Sequence, residues 1–177
     1  MKDLMKFPDC NRRDLKYKPL LPIFKPEFTS SDSLLEIIRQ KDRFLHYPYH
    51  SFSSFLRVLR EAAISQDVTT IKMTLYRLAK DSKVVQTLIS AARNGKKVTV
   101  VIELLARFDE ASNISWSKQM QDAGIRVIFG VEGLKVHSKL LFIGSKKGYV
   151  HLLPGATIDS FQESESGRKA DLPFTIQ

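Results

Sequence analysis

The apolar positions of this chain change their spacing several times between Ser31 and Leu153, and each change predicts a new element. Leu34, Leu35, Ile37 and Ile38 fit one face of a short helix, and Tyr47-Pro48-Tyr49 breaks the pattern after it. Phe52, Phe55, Leu56 and Leu59 then recur at helical spacing to about Ile64, with Ser51 or Ser53 placed to cap that helix. Thr69 to Tyr76 is rich in β-branched residues and predicts a strand. Asp81 can cap the following helix, Ser82 to Asn94, which Gly95 stops. Lys97 to Leu105 is the most strand-like run of the chain, Asp109 opens a helix from Glu110 to Ala123, and Ile125 to Phe129 reads as a strand after Gly124. Such alternation predicts an α/β fold with a mainly parallel sheet covered by helices. His137 to Ile143 and Tyr149 to Leu153, separated by Gly144-Ser145-Lys146-Lys147-Gly148, predict a closing hairpin.

Outside those bounds the periodicity fades. Pro8, Pro19, Pro22 and Pro26 lie among basic and aromatic residues, so residues 1–30 read as an extended arm. Residues 31–153 form the expected single domain, and the polar stretch 154–177 reads as a disordered tail. Lys and Arg number 28 against 19 Asp and Glu, a net charge of +9 that selects an anionic partner without saying which. Nucleic acid, an acidic membrane surface, nucleotides and polyphosphate all qualify. Cys10 is the only cysteine, which excludes an intrachain disulfide and a cysteine-built metal site and fits a reducing, cytoplasmic compartment. The first residues carry no apolar signal core, and no run approaches the length of a membrane span.

Two groups of residues carry candidate chemistry. The first is His137-Ser138-Lys139, at the start of an expected strand, where alternation turns His137 and Lys139 to one face. An imidazole nitrogen can attack phosphorus, and the ammonium can hold the phosphoryl oxygens. A surface histidine beside a lysine is the plainer alternative. The second is the pair Arg77 and Arg107, each just past a strand, where ligands of open α/β sheets collect and guanidinium forks match phosphate oxygens. Arg77, Arg107 and His137 stand thirty residues apart, about one βαβ step. Arg77 with Asp81, and Arg107 with Asp109 or Glu110, could instead form solvated ion pairs. Lys96-Lys97 and Lys146-Lys147 read as turn charges, His46 and His50 as too isolated for metal ligands, and Trp116, with Ile114 and Met120, as core. The Gly130 to Gly133 loop is neither a Walker loop nor a dinucleotide fingerprint.

Whole segments resemble the polyphosphate kinase family: DLMKFPDCNRRDLKYKP, FLHYPYHSF, TLYRLAKDSKVV, AARNGKKVTVVIELLARFDEASNISWSKQMQDAGIRVIFG and GLKVHSKLLFI. The resemblance implies a catalytic domain of phospholipase-D-like architecture, with a mixed, mainly parallel sheet flanked by helices and His137 as the phosphorylated residue. It implies reversible transfer of the terminal phosphate of ATP to inorganic polyphosphate, with ADP as the nucleotide product and magnesium as cofactor. Arg77 and Arg107 match the family's magnesium-phosphate site. Guanidinium has no lone pair for a hard cation, so their link to magnesium is expected to run through phosphate or water. Lys139 is expected to add a phosphoryl-oxygen contact. Homo-oligomers and peripheral membrane association are family traits, whereas nucleic acid is not an expected partner.

Two departures qualify the resemblance. Gly144 stands where a phospholipase-D motif has aspartate, which disfavours a phosphodiesterase, and from Leu152 on the family's glycine-and-asparagine segment is replaced by LLPGATIDSFQESESGRK. The family's other domains, one bearing a second histidine, have no counterpart in these residues. The expectation is a truncated or frame-disrupted product, or a piece cut from a longer enzyme, with weak or no transfer of its own. A polyphosphate- or nucleotide-binding remnant is the alternative.

Overall fold

A computed structural model describes residues 12, 14, 20–28, 32–103, 110–130, 136 and 138–152. Five strands form one sheet in the order β3-β2-β1-β4-β5: β1 (Val68–Leu75), β2 (Lys97–Ile102), β3 (Arg126–Ile128), β4 (Leu141–Ser145) and β5 (Gly148–Leu152). β1, β2 and β3 pair in parallel, β4 runs antiparallel to β1, and β5 antiparallel to β4, so only β4 points the other way. This is the mixed, mainly parallel α/β sheet that the strand–helix alternation predicts.

Four α-helices accompany it: α1 (Leu34–Gln40), α2 (Ser53–Ile64), α3 (Lys83–Arg93) and α4 (Glu110–Asp122). The crossovers β1-α3-β2 and β2-α4-β3 step the same way along the sheet, and crossovers of one hand then place both helices on one face. The core confirms that placement. Ile71 and Met73 of β1, Val98 and Val100 of β2, and Leu141 and Ile143 of β4 meet Val58 and Leu59 of α2, Leu88 of α3 and Met120 of α4 in a single buried cluster. Trp116 belongs to it and donates from Nε1 to the Ala79 carbonyl at 2.9 Å, whereas Ile114, on the same helix, is exposed.

Local chemistry sets the element ends. Ser82, not Asp81, caps α3: it is the last residue with extended backbone, and its hydroxyl accepts from the Val85 amide. At α2 the cap position falls on Phe52, which has no side-chain acceptor; Ser51 Oγ instead accepts from the Ser53 amide at 3.3 Å. Glu61 of α2 reaches across to α1, where its carboxylate accepts from the amides of Leu34 and Leu35 and from the Ser33 hydroxyl. Part of the arm docks alongside: the Ile23 amide donates to the Tyr49 carbonyl at 2.7 Å, and the Ser51 amide to the Ile23 carbonyl at 2.9 Å.

The hairpin forms as expected, turning at Lys146 and Lys147, with Gly148 at φ +118°, a backbone state that suits glycine. Lys147 Nζ pairs with Asp67 Oδ2 at 2.9 Å, and that hydrogen bond holds the Asp67 carboxyl below the usual carboxylate range. The small contribution is therefore present above the ordinary range and lost as pH falls through the lowered value. Two strand limits differ from the sequence expectation by three residues or more. β2 ends at Ile102 rather than Leu105, and regular β4 begins at Leu141 rather than at position 137. Residues 104–109 and 153–177, the latter including the expected tail, lie outside the described residues.

At the carboxyl end of the sheet the buried Asn113 of α4 acts as a clip. Its Nδ2 donates at 2.8 Å to the Tyr76 carbonyl, just past β1, and at 2.8 Å to the Glu103 carbonyl, just past β2. Asn113→Ala leaves two carbonyls short of a donor, and urea unfolding is expected to show a loss of about 2–4 kcal/mol. Leu59→Ala, which empties a fully buried position, is expected to cost about 2–5 kcal/mol in the same assay.

Candidate functional site

The carboxyl ends of β1 and β2 are where an open α/β sheet offers backbone and side chains to a ligand. There the chain bearing the sequence-predicted histidine returns to the sheet. Glu103 fixes one side of it: the Val136 amide donates to Glu103 Oε2 at 3.1 Å, while the Glu103 amide donates to the Leu75 carbonyl at 3.1 Å. Thr74 fixes the other side. Its hydroxyl donates to the Ser138 carbonyl at 2.6 Å and accepts from the Leu140 amide at 2.9 Å, and its own amide donates to the Leu140 carbonyl at 3.0 Å.

These bonds explain why the strand starts late. The Thr74 side chain takes the place of a ladder partner, so residues 138–140 follow β1 without regular pairing. Thr74 and Val136 are buried, at 3% and 2% exposure, so the attachment is made inside the protein, whereas Ser138 is exposed.

Two predicted site residues meet around one aromatic ring. Lys139 Nζ lies 4.8 Å from the centroid of Tyr76, and Arg77 Cζ lies 5.8 Å from the same centroid. The face of a tyrosine ring attracts cations, each contact contributing about 0.5–1 kcal/mol at an exposed site. Drawing two like charges to one half-buried ring raises the local positive potential, and an anion bound between them relieves their repulsion. Arg77 is exposed and Lys139 half-buried. His137 and Arg107 lie outside the described residues.

Tyr76, Thr74, Glu103 and Asn113 are absent from the sequence-based candidates. Glu103 alone left a signal, as an acid inside the apolar run KVTVVIELL. Guanidinium supplies no lone pair, and among the described residues no three His, Cys, Asp or Glu side chains gather to hold a metal ion. His46 and His50 bond locally instead, the His46 amide donating to His50 Nδ1 at 2.8 Å. Gly144 has little room for the aspartate of a phospholipase-D motif, because an added Cβ meets the Phe142 ring at 3.1 Å.

Comparison with known proteins bears on this geometry. The family profile named Polyphosphate kinase C-terminal domain 1 matches residues 33–160, continuing past Leu152, where the motif resemblance was expected to end. Polyphosphate kinase of Vibrio cholerae is 46% identical over 159 residues, covering 87% of this chain and 23% of that protein. Polyphosphate kinase of Escherichia coli K12 is 43% identical over 164 residues, again covering 87% and 23%. The crystal structure of polyphosphate kinase from Porphyromonas gingivalis superposes with a TM-score of 0.69 at 36% identity, over 88% of this chain and 22% of that one. This chain thus spans less than a quarter of the length of these relatives. With the fold shared and the sequence related over most of its length, the chain belongs to the polyphosphate kinase family and carries its first C-terminal domain.

Proposed function

We propose that this chain carries the phosphohistidine half of a polyphosphate kinase site, with His137 as nucleophile. The observation that carries the reading is the attachment of residues 136 and 138 to Glu103 and Thr74, beside the two cations gathered on Tyr76. In the first step a neutral imidazole nitrogen of His137 attacks the terminal phosphorus of ATP in line. The bond from that phosphorus to the bridging oxygen breaks, and ADP leaves with the electron pair. In the second step a terminal oxygen of polyphosphate attacks the phosphorus, and the phosphorus–nitrogen bond breaks to restore the neutral ring. Arg77, Arg107 and Lys139 hold the phosphoryl oxygens as charge develops on them. Magnesium arrives with the nucleotide phosphates, so the magnesium role assigned in the family to Arg77 and Arg107 is indirect.

Residues 31–153 act as the catalytic unit in this reading, and residues 1–30 as a connecting arm. The folded chain is expected to take acid-labile label from terminally labelled ATP with magnesium, and His137→Ala to abolish it. Absence of label on a folded chain that still binds polyphosphate would leave only a binding remnant. Arg77→Ala is expected to slow labelling about a hundredfold without shifting the melting temperature. An unchanged rate would remove Arg77 from the site.

A further inference from the structure

Alternate residues of the sheet point away from the helices, and the strand register brings their cations into line. Across the sheet Arg126 pairs with Thr99, Thr99 with Lys72, and Lys72 with Phe142. One row nearer the amino ends of the parallel strands, Lys97 pairs with Thr70, Thr70 with Gly144, and Gly144 with Tyr149. Neither row holds a carboxylate. From strand and residue spacings, the backbones of Lys72, Lys97 and Arg126 stand about 8–10 Å apart. All four described helices pack on the opposite face, against Ile71, Met73, Val98 and Val100. Arg126 and Lys97 are exposed, and Tyr149 is 63% exposed.

We propose that this face, on which none of the described helices packs, binds linear inorganic polyphosphate, as a holding surface distinct from the transfer site at the strand ends. The inference rests on the polyphosphate reading above and adds where the polymer lies. A flexible chain with a charge on every phosphate can lay successive phosphates against cations fixed at these spacings, and release of its counterions drives the binding. The hydroxyls of Thr70 and Thr99 lie between the cations as neutral donors. The aromatic residues favour polyphosphate over nucleic acid. Lys72 Nζ stands 5.6 Å over the Phe142 ring, and Phe142 stacks on Tyr149 at 6.1 Å, so the rings are engaged with a lysine and with each other rather than held apart to receive bases. Lys72 and Arg77 belong to the same chain segment, about 16 Å apart in extended backbone, with the buried Thr74 between them.

The test is titration of the full 177-residue chain with end-labelled long-chain polyphosphate, comparing wild type with a Lys72→Gln, Lys97→Gln, Arg126→Gln triple variant. The triple variant is expected to bind the long polymer at least about tenfold more weakly, with a shallower salt dependence. Tripolyphosphate affinity and His137 labelling are expected to stay at wild-type levels. Should the triple variant melt early, the single exposed-site variants Lys97→Gln and Arg126→Gln serve, each expected to weaken long-chain binding alone. Equal long-chain affinity in folded variants and wild type overturns the proposal. So does tighter wild-type binding of a single-stranded oligonucleotide of matched charge, which assigns the face to nucleic acid. Weakened long-chain binding with no His137 label in either protein supports the surface while refuting the transfer reaction, so the two readings fail separately.

Discussion

Two neighbouring strands must stop together if the side chains beyond their ends are to face one ligand, and the buried amide of Asn113 makes them do so. With one donor on the carbonyl of Tyr76 and one on that of Glu103, it fixes the exits of β1 and β2 relative to each other and to α4. Glu103, placed by that bond, offers its carboxylate to the Val136 amide, and Thr74, inside β1, takes the Ser138 carbonyl. The return of the chain to the sheet is thus specified from both sides of position 137. Tyr76, whose carbonyl the clip holds, gathers Arg77 and Lys139. The positive rim is a consequence of where the strands end.

Charge composition alone points to an anion but does not say which cations matter. Many have structural partners: Arg39 bonds Glu36 and the Ser145 hydroxyl, Arg43 pairs with Glu27, Lys25 donates to the Phe44 carbonyl, and Lys147 pairs with Asp67. The cations of the rim and of the sheet face turned away from the described helices have aromatic and threonine neighbours. Arg77, Lys139 and Lys72 lie over aromatic rings, and Lys97 and Arg126 stand beside threonine positions in the sheet register.

Elements governed by local periodicity were legible in the sequence. β1 and α4 fall within a residue of their expected limits, and the hairpin turns where two glycines bracket a polar stretch. The α3 cap was placed one residue early, because Asp81 and Ser82 are both good caps and only backbone geometry separates them. The site was legible in part. Arg77 and Lys139 stood out by residue type and position, but the ring that unites them did not. Asn113 and Thr74 were invisible, since their partners Tyr76 and Ser138 lie 37 and 64 residues away, and no local pattern encodes such bonds. Thr74 also explains why the expected strand at residues 137–143 begins four residues late.

The ends of β1 and β2, with the returning chain, are proposed to form a phosphate site. Titrating the isotopically labelled chain with tripolyphosphate and following backbone amide resonances tests it most directly. Saturable shifts are expected at Arg77, Val136, Lys139 and Leu140, with the helix side of the sheet unmoved. Shifts confined to α1, α2 and the hairpin turn, with those four amides unchanged, would contradict it.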